Sequence, residues 1–269
     1  MQTIKITAGT RPLLRTIAYW VTTSIIFLET ATGAEWDLVR NAFVRNVFDH
    51  LGYPHYLLSL LGAWKLPAAI ILIIPGFVRV REWAYAGLFF VYTGAAASHF
   101  ILGQTGSGWG PLVFAALTMA SRALRPRARK LSAQQAHGSA PQKEGRGRKI
   151  GYWASTGLIA FCMISGGLFY LSGDRAPVAG IKELGYPAYF LLILGVWKVL
   201  GGLTIVLPRL QVLKEWAYAG IVFDLIGAAV SNAVMGKPWW HVAAPLFLTG
   251  ITIASWALRP ASRSAVTVS

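Results

Sequence analysis

Charge, acid and cysteine are all scarce in this sequence. Only 13% of its 269 residues are Asp, Glu, Lys or Arg, about half the share of roughly 25% found in ordinary soluble domains. With 55% hydrophobic residues and a mean hydropathy of +0.52, this composition is that of a chain with several membrane spans. The single cysteine, Cys162, excludes a disulfide framework and any multi-cysteine metal or dithiol centre within one chain. There is no glycine-rich phosphate loop, no nucleophile elbow, no paired cysteine motif and no His-x-x-x-His. His50, His55 and His241 fall near one end of the apolar runs without ligand-type spacing, so no metal site is expected. Acids number only 10 against 25 Lys and Arg, a net charge of +15. Nucleic acid is not the expected partner, because no aromatic-interleaved basic platform accompanies the charge.

A long internal repeat is present instead. Leu51-Gly52-Tyr53-Pro54 opens a stretch that runs through Trp64-Lys65 and Pro75 to Arg-Glu-Trp-Ala-Tyr-Ala-Gly at 81–87. Leu184-Gly185-Tyr186-Pro187, Trp197-Lys198, Pro208 and Lys-Glu-Trp-Ala-Tyr-Ala-Gly at 214–220 repeat it at a constant offset of 133 residues. Tyr19-Trp20 and Gly33 match Tyr152-Trp153 and Gly166 at the same offset, so the first apolar segment belongs to the repeat rather than to a signal peptide. Apolar runs predict spans near 16–32, 56–74, 83–102 and 109–121, the last recruiting part of 105–108. The second copy predicts 151–166, 189–207, 216–235 and 239–256. Pro54 suits a first helical turn, and Pro75-Gly76 a helix stop. The fold class expected is therefore all-α: eight transmembrane helices as two parallel four-helix repeats. Residues 1–121 form the first repeat, 122–149 a basic linker, 150–260 the second repeat and 261–269 a tail.

Basic residues set the expected orientation. Placing both termini, the linker and the turns before 82 and 215 on one side collects 18 of the 25 Lys and Arg there. The positive-inside rule makes that side cytoplasmic, and the membrane a cell membrane. The linker is first of all this topology signal. Anionic lipid is the partner its charge would otherwise select, at about 1 kcal/mol per basic residue near the surface. Glu82 and Glu215 read as carboxylates favouring a helix N-terminus. Trp83, Tyr85, Trp216 and Tyr218 read as a cytoplasmic aromatic belt, and Tyr53, Tyr56, Tyr186 and Tyr189 as an outer one, with Trp109, Trp239 and Trp240.

Inside the apolar runs, ionisable residues are costly and mark candidate sites. Lys65 and Lys198 fall near the middle of the second span of each repeat. Small residues flank both (Gly62, Ala68 and Ala69; Gly195, Gly201 and Gly202), so both face neighbouring helices rather than lipid. Asp224 lies on a face with Gly220, Gly227 and Ser231 at similar depth, and is the expected partner of Lys198. The corresponding residue in the first copy is Val91. There Glu29 and His99, whose counterparts are Cys162 and Asn232, are expected to cluster with Lys65 towards the outer face. A polar pocket of Lys65, Glu29, His99, Lys198 and Asp224 is weighed against a purely structural use of the ion pairs.

Leu-Gly-x-Trp-Lys at 61–65 and 194–198, Glu-Trp-Ala-Tyr-Ala-Gly, Gly-Ala-Ala-x-Ser at 94–98 and 227–231, and the closing Leu-Arg-Pro resemble the signature of DoxX-like membrane proteins. Members are typically small four-helix proteins, so the chain resembles two fused copies. The resemblance implies a third helix carrying an acid and then Ser-His; here Ser98-His99 is kept in one copy and Asp224 in the other. It leaves three functions open. The first is an accessory or small-molecule-binding membrane protein with a polar intramembrane pocket and no cofactor. The second is a quinone-linked oxidoreductase subunit, with a quinone bound and a redox partner subunit supplying the electron carrier. The third is a transporter or proton pathway, as midplane charges at a repeat interface occur in such proteins.

Overall fold

A computed structural model describes residues 10–74, 78–126 and 145–260. The Pro75-Gly76 stop, most of the 122–149 stretch, Lys5 and the tail after Pro260 lie outside the described residues. Every regular element among those described is a helix: α1 (Thr10–Leu38), α2 (Ala42–Leu51), α3 (Tyr56–Ile73), α4 (Val78–Ile101) and α5 (Thr105–Leu124). The second copy supplies α6 (Arg146–Leu171), α7 (Arg175–Glu183), α8 (Phe190–Val206), α9 (Gln211–Val234) and α10 (Trp239–Leu258). Five of these, Tyr56–Ile73, Val80–Ile101, Arg146–Leu171, Gln211–Val234 and Trp239–Leu258, are long and apolar enough to cross a membrane. Helix α8 is equally apolar but shorter, and α1 carries Glu29, Glu35 and Asp37 in its second half. Helix α5, which holds the fourth apolar run, starts at Thr105.

Each repeat closes into a ring of four helices, α1 on α3, α3 on α4, α4 on α5 and α5 back on α1, with α6, α8, α9 and α10 repeating the order. The ring is held by buried hydroxyls at matching places. Thr23 and Tyr85 both meet Ser121, at 2.7 and 3.0 Å, and Thr156 and Tyr218 meet Ser255 at 2.7 and 2.8 Å. In apolar surroundings such hydroxyls need partners, and each supplies one for the next. At one end Arg15 donates to the carbonyls of Ala123 and Leu124, and Arg148 to those of Leu258 and Arg259. These are carbonyls at helix C-termini, which the helices leave unsatisfied. Outward faces carry large exposed apolar side chains, among them Leu13, Leu28, Val113, Phe161, Leu168 and Phe247.

The short helices α2 and α7 are absent from the hydropathy reading because they are amphipathic rather than apolar. Their caps define them: Asn41 accepts from the Phe43 amide and Asp174 from the Ala176 amide, and Gly52 ends α2 at φ 74°.

Candidate functional site between the repeats

The two rings meet chiefly through α4 and α9, with α3 and α8 at their sides. The contact is a reciprocal set of aromatic rings seated on glycines. Phe223 lies over Gly87, where an added Cβ would come within 3.1 Å of its ring, and Phe90 lies over Gly220, where the distance would be 2.9 Å. Trp64 packs on Phe223 with ring centroids 5.3 Å apart, and Trp197 on Phe90 at 4.9 Å. In the Trp-Lys dipeptide of α3 and α8, the tryptophan therefore reaches across to the other repeat, while the lysine turns back into its own.

Towards one end, two buried carboxylates complete the interface. Glu82 accepts from Arg122 at 2.7 Å, from Arg125 at 2.5 Å and, across the interface, from Trp216 at 3.4 Å. Glu215 accepts from Trp256 at 2.8 Å, from Arg259 at 2.6 Å and, across the interface, from Trp83 at 3.4 Å. These acids are thus joined to the far end of the fourth helix of their own repeat and to the other repeat's indole, not only to a helix N-terminus. Towards the other end, Tyr56 donates to the Leu184 carbonyl and Tyr189 to that of Leu51, both at 2.7 Å. Tyr53 and Tyr186 meet Ser98 and Ser231 at 2.8 and 2.9 Å. The tyrosines read as an outer belt are therefore interface residues, and burial holds the Tyr53 and Tyr186 phenols well above the ordinary value of 10.0. In the loops at this end, Glu183 is held low by the Lys237 ammonium.

Between these two closures lies a cavity of about 810 Å³. Its walls are the interface aromatics (Trp64, Trp83, Phe89, Phe90, Trp197, Trp216 and Phe223) together with aliphatic side chains from both repeats. Lys65 and Asp37 line it from the first repeat, and Lys198 and Asp224 from the second. Val80, Leu200 and Leu213 also line it and are 47%, 48% and 51% exposed, so its lining reaches the surface of the protein. The Gly94 position is open, with nothing within 4 Å of an added Cβ, whereas at the matching Gly227 the Trp64 ring is 3.7 Å away.

The structure brings Lys198 and Asp224 together: Nζ donates to Oδ2 at 2.5 Å, with Tyr170 beneath the ammonium at 5.4 Å from its ring centre. It does not join Lys65, Glu29 and His99 into one cluster. Lys65 donates to Asp37 at 2.8 Å. The reason is length: α1 runs to Leu38 rather than ending near Thr32, carrying Asp37 to the level of the lysine. Glu29 is two turns earlier on the same face and accepts from Tyr92, whose hydroxyl also meets Thr30 at 3.0 Å. Glu29 still stands beside Lys65, since an added Cβ at Gly33 would be 3.5 Å from Nζ and 3.7 Å from Glu29 Oε1. His99 Nδ1 lies 2.8 Å from Gln104 Oε1, at the end of α4, and His99 is not among the described residues that line the cavity.

The counter-ion has therefore changed helix between the repeats. It comes from α1 in the first, where the matching position of the second is Tyr170, and from α9 in the second, where the matching position of the first is Val91. Glu29, Thr30 and Tyr92 correspond to Cys162, Met163 and Leu225, so the second polar trio of the first repeat becomes apolar as a unit. Asp37 was missed by the sequence reading because it follows the apolar run. The signal available was the four-residue step Glu29, Gly33, Asp37, which puts all three on one helical face. Among the described residues, no group of three His, Cys, Asp or Glu is placed to hold a metal. Chemically, the site offers two ammonium donors and two carboxylate acceptors, on opposite walls of an aromatic chamber.

The profile of the DoxX-like family matches residues 21–121 and, again, 154–255. No curated protein and no solved structure matches the chain.

Proposed function

Since the chain belongs to the DoxX-like family, as a tandem duplication of its unit, we propose that it is a membrane protein that binds an apolar small molecule with polar ends between its two repeats. The observation that carries this reading is a cavity that both lysine–carboxylate pairs line. Its volume lies within the range of small-molecule sites, about 300–1,000 Å³. A paired lysine keeps two N–H donors free for a carbonyl or hydroxyl oxygen, and a paired aspartate keeps lone pairs free for a hydroxyl. The exposed rim of Val80, Leu200 and Leu213 favours entry from the lipid. A quinone has this chemistry, with a flat ring for the aromatic walls and a carbonyl for each ammonium. As a redox subunit the protein would then need a partner carrying the electrons, since Cys162 is its only thiol.

In the bilayer, α1, α3, α4, α5, α6, α8, α9 and α10 would be the eight spans, the repeats parallel, with α2 and α7 at the surface. The reciprocal Trp83–Glu215 and Trp216–Glu82 contacts support the parallel arrangement. The clustering of Lys and Arg supports cytoplasmic termini in a cell membrane. Anionic lipid remains the partner expected for the basic linker.

Gly94→Leu tests the cavity. A leucine there enters open space, so the fold should stand while the ligand is excluded. Native mass spectrometry of the purified protein, with a quinone and a phospholipid added as probes, is expected to show a bound molecule that the variant retains at least about tenfold less well. A wild-type protein that holds no such molecule, or a variant that holds it equally, removes the reading.

A further inference from the structure

Around Lys65 the first repeat places one more acid than it has cations to match. Asp37 and Glu29 both approach Lys65, from the same face of α1 and on either side of Gly33. The residues facing Glu29 are Lys65 from α3, Tyr92 from α4, and Thr30 and Asp37 from α1 itself. From α5, Phe114 covers the Tyr92 ring at 5.7 Å and brings no charge. Glu35 is exposed and points elsewhere. Among the described residues, Lys65 is thus the cation that faces both carboxylates, and these are largely withdrawn from water: the Asp37 side chain is 4% exposed. Two carboxylates that share one site in low dielectric do not both ionise unless each has its own counter-charge. The second repeat has no such excess, with one lysine, one aspartate and Cys162 where Glu29 would stand.

We propose that Glu29, Lys65 and Asp37 form a proton-binding site, in which the two carboxyl groups hold one proton between them beside the ammonium. The site has a direction. Asp37 and Lys65 line the cavity and Glu29 does not, so the site meets the chamber at Lys65 and Asp37, with Glu29 behind the wall. Tyr92, hydrogen-bonded to both Glu29 and Thr30, fixes the inner carboxyl. The proton belongs to the dyad rather than to either acid. This inference does not depend on what occupies the cavity.

Infrared spectroscopy of the full-length protein in lipid vesicles at neutral pH reads it directly. A protonated carboxyl shows a C=O stretch, distinct from carboxylate bands and shifted in D2O. One such band is expected in the wild type and in Asp224→Asn. Glu29→Gln and Asp37→Asn should each abolish it, because the remaining acid then has Lys65 to itself. Lys65→Met should double it. No band in the wild type, or a band that survives either single acid substitution, overturns the proposal. Tyr92→Phe removes only a hydroxyl and keeps the test open should a charge variant fail to fold. The band should then move, and an unmoved band counts equally against the site.

Discussion

A lysine within an apolar span is tolerated only with a partner, and in this protein the partner need not come from the same place. Lys198 draws on Asp224 of α9 and Lys65 on Asp37 of α1. Removing one member of a buried pair typically costs about 3–5 kcal/mol because the survivor stays buried and uncompensated, whereas removing both can be nearly neutral. Asp224→Asn should therefore lower the thermal unfolding temperature in detergent, and Asp224→Asn with Lys198→Met should recover most of that loss. A double variant no more stable than the single one would show that the pair is not what holds these helices. The Lys198 pair was legible in the sequence since both residues fall at similar depth inside apolar runs, each flanked by small residues. The Lys65 pair was not, because Asp37 follows the run that marks the span, and hydropathy ends a helix where apolarity ends. The hydrogen-bonded ladder of α1 continues past that point, and the acid travels with it.

At the scale of a helix, the conserved plan Leu-Gly-x-Trp-Lys within each copy is one turn serving three neighbours. The glycine lets α3 approach α1 and α8 approach α6, the tryptophan crosses to the other repeat, and the lysine meets its acid. The approach is tight. A Cβ at Gly195 would lie 2.7 Å from Leu171 Cγ and 3.1 Å from the Gly167 carbonyl oxygen, and one at Gly62 would lie 3.0 Å from the Ala34 carbonyl. At Gly166 nothing lies within 4 Å. Gly195→Ala should then destabilise by about 1–3 kcal/mol through overpacking. Gly166→Ala should be neutral or gain up to about 1 kcal/mol from helix propensity. Equal shifts in unfolding temperature for the two would refute the packing account. The number of long helices and their order could be read from the sequence, and the start of α5 at Thr105 with them. Periodicity could not tell a helix face that meets lipid from one that meets the other repeat, as both are apolar. That is why Tyr53, Tyr56, Tyr186 and Tyr189 read as a belt although they also join the two repeats, and why α2 and α7 went unread.

For the whole molecule, the duplication turns two bundles into the two walls of one chamber. Four pairs of interface residues match at the offset of 133: Phe90 and Phe223, Trp64 and Trp197, Glu82 and Glu215, Tyr56 and Tyr189. Such a set of contacts brings like ends of the two repeats together, as the proposed parallel arrangement requires. A reporter fused after Lys130 should be active in the cytoplasm, as should one at the C-terminus. Reporters active on different sides at the two places would rule out an even number of spans in the second repeat, and both on the opposite side would overturn the cytoplasmic termini. The outward apolar surface, with Phe161 and Phe247 each 70% exposed, is consistent with lipid as the surrounding solvent.

The unequal counter-ions have a consequence in terms of parity. Two identical chains related by a two-fold axis can place any group at their interface only in even numbers, for what one copy carries the other must carry too. Three carboxylates about two lysines, Glu29, Asp37 and Asp224 about Lys65 and Lys198, is an odd count that no such dimer can reach. Joining the copies in one chain is what lets each half drift alone, and an odd number of acids about two lysines is the simplest thing that only the joined form can make.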